Sequence, residues 1–143
     1  MTDSLTAART LVHLSQTLVD LALAHAAEVT DGGKLVDDYQ VHTERLAYLA
    51  TQVRAAHELT RHAETTGSAD PLQPEYALIY AAEVARTLRS QIDSAWTDFG
   101  LTEAHLATLD APPIREAIRA GSDESRIRAA GIQVIASQGM NNS

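Results

Sequence analysis

The stretch that decides the fold is Gly33–Ala56, GKLVDDYQVHTERLAYLATQVRAA. Within it Tyr39, His42, Leu46, Leu49, Val53 and Ala56 recur at alternating steps of three and four. That spacing lays one apolar seam along a helix and predicts helix from about Leu35 to about Glu64. Thr30-Asp31-Gly32-Gly33 stands just before it and stops whatever helix precedes. Glycine tolerates the positive φ that commonly follows a helix end.

Working outward, Leu11, Leu14, Leu18, Leu21 and His25 mark the seam of an earlier helix, with Thr2, Asp3 or Ser4 available to cap it. Downstream, Thr66-Gly67-Ser68-Ala69-Asp70-Pro71 is a loop by composition. Pro74 suits a first helical residue, and Glu75 suits the positive end of a helix. Leu78, Ala82, Ala85, Leu88, Ile92, Ala95 and Phe99 then form the stripe of a third helix ending near Asp98.

Thr102-Glu103 can start a short turn of helix, and Pro112-Pro113 opens a last helical region. That region breaks near Gly121-Ser122, restarts from Ser122 or Asp123, and frays over Gln138–Ser143. No strand-like alternation and no repeat are visible. The expected fold is all-α, an up-down four-helix bundle. It forms one domain over 1–137, with a disordered tail over 138–143.

Composition narrows the function. The chain has 143 residues, a formal charge of −8, no Cys, and one Lys against ten Arg. Disulfides, thiolate metal sites and a Cys nucleophile are excluded. Residues 1–70 carry ten acids and five bases; residues 71–143 carry nine and six. Neither half is basic, which argues against nucleic acid as a partner. The apolar run Leu18–Ala27 holds Asp20 and His25 and is too short for a bilayer. MTDSLTAART lacks the basic start and apolar core of a signal peptide, so a cytoplasmic location without membrane contact is expected.

Known constellations fit poorly. Di-iron bundles need Glu-x-x-His, because residues three apart share a face; no His here has a Glu three positions before it. His57 and His62 are five apart, whereas a helical zinc pair is four apart. Asp38 and His42 are four apart, which is ordinary for a surface helix contact. Ser15, Ser90 and Ser94 sit in helices, without a nucleophile elbow. Neither a metal site nor a catalytic residue is assigned.

Gly33, Tyr39-Gln40 and Arg45-Leu46-Ala47 together resemble the helix that opens the C-terminal bundle of acyl-CoA dehydrogenases. The likeness runs over roughly Leu5–Glu103. It implies a bundle that builds an oligomer core and lends flavin contacts across a subunit boundary. By resemblance, Gly33, Gln40 and Gly100 are the cofactor-contacting positions. Independently of it, Trp96 and Phe99 are expected to fill core volume at one bundle end, and with Tyr39 they are the candidate ligand or partner contacts. Two departures weaken the cofactor site and a third removes the catalytic base. Val29 and Gly32 stand where the family has Arg and Phe, and Val cannot replace a guanidinium fork on a pyrophosphate. Thr97-Asp98 replace a Gly pair, adding a negative charge beside the cofactor. Ser137 falls where many members carry the catalytic Glu.

The leading expectation is a non-catalytic bundle that self-associates or joins a larger acyl-CoA dehydrogenase-like chain, with no cofactor of its own. The alternative is a subunit of a split oxidoreductase, with FAD bound only in the complex. A third reading is a small-ligand-binding bundle.

Overall fold

The computed structural model describes residues 3–34, 40–66 and 69–141, with the side chains of 134 and 137–141 excepted. Tyr39 and Asp38, and the expected helix start at Leu35, lie outside the described residues, as does the side chain of Ser137. The described residues are all-helical, in six helices. These are α1 (Ser4–Val29), α2 (Gln40–Thr66), α3 (Leu72–Ala95), α4 (Glu103–Thr108), α5 (Pro112–Gly121) and α6 (Glu124–Asn141).

Local chemistry sets the boundaries. The Asp3 carboxylate accepts from the Thr6 backbone N–H at 2.8 Å and caps α1. Those hydrogen bonds hold the Asp3 carboxyl below its ordinary pKa, backbone N–H first and Thr6 hydroxyl second. At the other end, Asp31, Gly32 and Gly33 all take positive φ, and the Thr30 hydroxyl donates to the Ala26 carbonyl at 2.6 Å. Asp70 accepts from the Leu72 N–H at 3.0 Å. Helix α3 thus begins two residues earlier than Pro74, which stays within its first turn. Pro112 opens α5, where a missing N–H is harmless. Asp123 accepts from the Ser125 N–H at 2.8 Å and restarts the chain as α6. Backbone helix in α6 continues past Gln138 to Asn141.

Helices α1, α2 and α3 pack on one another, and α5 packs on α1 and α3. Arg9 near the start of α1 meets Glu64 near the end of α2, so these two run antiparallel. Ser4 of α1 meets Glu75 of α3, both near helix starts, so α1 and α3 run parallel. The near end of the bundle therefore holds the start of α1, the end of α2 and the start of α3. The far end holds the opposite termini. Helix α5 descends along α3 from Asp110, paired with Arg89, to Gly121, which lies on Leu78 and Ala82.

Buried positions are Ala7, Ala8, Leu11, Val12, Ser15, Leu18, Val19 and Ala22 on α1; Leu46, Leu49, Val53, Ala56, Thr60 and Ala63 on α2; and Leu78, Ala82, Ala85, Leu88 and Ile92 among others on α3. Alanine supplies the largest share of the buried apolar set, which lets helix backbones approach closely. Leu21, expected on the α1 seam, is instead exposed, and Val12 and Val19 take the buried places. No helix among the described residues is long and apolar enough to cross a membrane.

Candidate functional site at the far end of the bundle

At the far end, the last turn of α3 runs into Thr97-Asp98-Phe99-Gly100, which folds back over α1 and α2. Gly100 makes this possible. Its φ is +71°, and a Cβ there would stand 2.3 Å from Cγ of His25. Only glycine accepts both the left-handed backbone and that approach. The turn drives Phe99 into the core, where it is 1% exposed.

His42, in the first turn of α2, packs its imidazole on Phe99. Their ring centroids are 4.9 Å apart with 51° between planes, a tilted aromatic contact. Burial against this surface pushes the His42 pKa below its ordinary value. The Asp98 carboxylate opposes that shift, while His25 and Arg45 add to it. His42 Nε2 and Thr43 Oγ1 are both sealed from solvent with no hydrogen-bond partner among the described residues. The arrangement favours the neutral imidazole and leaves one ring nitrogen unpaired, among the described residues, beside an aromatic wall. Chemically it can accept or donate one hydrogen bond. The described residues hold no group of three or more metal-ligating side chains.

The positions singled out from the sequence are distributed as follows. Phe99 and Gly100 belong to this cluster. Trp96 is half-buried and packs against the same core. Gln40 is exposed, and its amide donates to Glu44 on the same helix at 3.2 Å. Gly33 is exposed at φ +98°, with open space around it. Tyr39 lies outside the described residues. His57 and His62 are both exposed on α2.

By spacing His25 is one more seam residue of α1, and helix periodicity does not announce its pairing with Gly100. The signal available was only the glycine itself, seventy-five positions away in sequence. Helix periodicity does not show that His42 Nε2 is sealed with no partner among the described residues; the one local hint is Asp38, four positions before it and outside the described residues.

The chain matches no protein-family model, and comparison with the curated proteins and with the solved structures finds no match. The likeness to acyl-CoA dehydrogenases therefore rests on the quoted residues alone.

Proposed function

We propose that this chain is a helical interaction module that self-associates through the outer face of α6, and that α1, α2, α3 and α5 stand in the arrangement of an up-down four-helix bundle. The observation that carries this reading is the exposure of Ile132 and Ile135, 61% and 72%, on one side of α6. Ile127 joins them at 41%. At the α-helical pitch the three span an arc of about 140°, away from Ala130, which faces the bundle. Single exposed aliphatics are normal, but a grouped set marks a contact surface.

Charge favours a second copy as the occupant. The chain carries 19 acids, yet none follows Glu124. The face of α6 after Glu124 thus lacks the acidic side chains through which two molecules of net charge −8 repel. Gly131 has open space around it, so two helices crossing there can approach closely. Burying each isoleucine fully contributes about 1.5–3 kcal/mol. A stable interface needs roughly 1,200–2,000 Å² in total, so surface beside α6 joins the contact. The resemblance to a family whose bundle builds an oligomer core points the same way.

The test is light scattering on the whole chain and on a variant carrying Ile132→Lys with Ile135→Lys. A discrete wild-type oligomer that becomes a folded monomer in the variant is expected, with helicity checked by circular dichroism. A monomeric wild type at about 100 μM, well above the Kd range of specific interfaces, overturns the reading. A visible absorbance scan of the same sample tests flavin binding by this chain alone, which would colour it yellow; the split-oxidoreductase alternative is tested by the same scan on a co-purified complex.

A further inference from the structure

The near half of the bundle holds a second, unrelated feature. A groove of about 440 Å³ runs between α1 and α2. Arg9 and His13 line it from α1, and His57 and Arg61 line it from α2. Each pair is four residues apart, so each projects from one face of its helix. Val12 and the buried Thr60 form the floor. In a chain of net charge −8, two of the ten arginines and two of the six histidines face one depression.

The donors are largely unspent. Arg9 Nε donates to Glu64 Oε1 at 2.8 Å, which occupies one of five guanidinium N–H groups. Arg61 makes no ion pair and no side-chain hydrogen bond among the described residues, although its neighbour Arg54 pairs with Glu58. Glu64 is the one carboxylate lining the groove. The two guanidiniums thus face a single carboxylate.

We infer that this groove binds a small phosphorylated molecule, its phosphate held between Arg9 and Arg61 with imidazole N–H groups beside it. Guanidinium forks match phosphate oxygens bidentately, and imidazole N–H adds directed donors. The volume exceeds that of a bare phosphate and lies within the range of small-molecule sites. The rest of the ligand has somewhere to go. Arg9 and His13 also line a neighbouring groove of about 580 Å³, walled by Leu14, Ala111 and Ile114. An apolar substituent on the phosphate fits that side of the ridge.

The experiment is an NMR titration of the whole chain with phenyl phosphate, following backbone amides at constant ionic strength. Saturable shifts confined to the segments around Arg9, His13, His57 and Arg61 are expected. Arg61→Gln, at an exposed position, is expected to weaken binding about tenfold, the usual scale for losing a charged hydrogen-bond donor. Glu64→Gln is expected to tighten binding by releasing Arg9, which a merely structural role would not do. Equal shifts with sodium chloride in place of the probe would show a diffuse electrostatic patch and overturn the inference. So would shifts centred elsewhere, no saturable shift, or an unchanged affinity in Arg61→Gln.

Discussion

The imidazole of His42 rests 4.9 Å from the ring of Phe99, joining the first turn of α2 to the turn that leaves α3. Burial in that contact holds the His42 pKa below its ordinary value. The sign of the resulting pH dependence follows directly. Above about pH 6.5 the histidine is neutral in both folded and unfolded chains, and its packing is fully available. As pH falls below that value the unfolded chain takes up the proton first, so stability declines until the folded-state pKa is also passed. Urea unfolding at pH 7.5 and pH 5.5 is expected to show this loss, and His42→Leu is expected to reduce it. Asp98→Asn, which removes the opposing carboxylate, is expected to push the His42 pKa lower still, read by imidazole NMR shifts. An imidazole titrating at or above its ordinary value would show that Asp98 outweighs burial.

Gly100 sits at φ +71° against the His25 ring. Gly100→Ala is expected to destabilise by about 1–3 kcal/mol, from the left-handed backbone together with the clash. Pairing it with His25→Ala is expected to restore part of that loss, because the clash goes and the backbone cost stays. Chemical denaturation of the two single variants and the double variant measures the split. Additivity would mean that the ring moves aside freely.

Two helical glycines are expected to respond in opposite directions. In an open helix Gly→Ala stabilises by about 0.5–1 kcal/mol. Gly131 has that freedom. Gly121 is buried, and its Cβ would stand 2.5 Å from the Ala82 methyl and 2.7 Å from the Leu78 carbonyl oxygen. A backbone oxygen cannot turn away, so Gly121→Ala must lift α5 off α3. A loss of about 1–3 kcal/mol is expected there, and a small gain for Gly131→Ala at concentrations too low for association. Thermal melts of both variants check the contrast.

Arg126 fastens α6 to the bundle. Its Nη1 donates to Glu75 Oε2 and to Ser4 Oγ, each at 2.8 Å, and Ser4 Oγ donates to Glu75. One guanidinium thereby touches α1 and α3 from α6. A double-mutant cycle with Arg126→Met and Glu75→Gln is expected to give a coupling of about 1 kcal/mol, since both groups are partly shielded from water. Amide exchange in α6 is expected to quicken in Arg126→Met and to stay unchanged in α2. Unchanged exchange in α6 would place its anchorage in Ala130 and the apolar seat instead.

Much of this architecture is legible in the sequence because helix periodicity is a local signal. The stops at Thr30–Gly33 and Gly121–Ser122 and the seam Leu46, Leu49, Val53, Ala56 lie where residue type alone places them. Helix α1 shows the boundary of that approach. Leu14 and Leu21 continue a strict three-four alternation, but they lie on one edge of a wider stripe. Packed by α2, α3 and α5 at once, α1 centres its buried face nearer Ser15 and Ala22, bringing in Val12 and Val19. The breadth of the stripe depends on how many neighbours a helix acquires, which no single segment encodes. The far-end cluster was half legible for the same reason. Phe99 and Gly100 announce a buried ring and a special turn, whereas the sealed nitrogen of His42 depends on which loop closes over it.

The alanines of the core have a thermal consequence. A methyl group has no rotamers to freeze, so burying Ala8, Ala56, Ala77, Ala81, Ala82 and Ala85 costs no side-chain conformational entropy. The same methyls also expose little apolar surface when the chain opens. Less newly wetted hydrocarbon means a smaller heat-capacity increment than the usual ~12–15 cal/mol/K per residue. Calorimetry is therefore expected to trace a broad, shallow stability curve, in which folding free energy changes slowly with temperature and the cold flank is displaced downward.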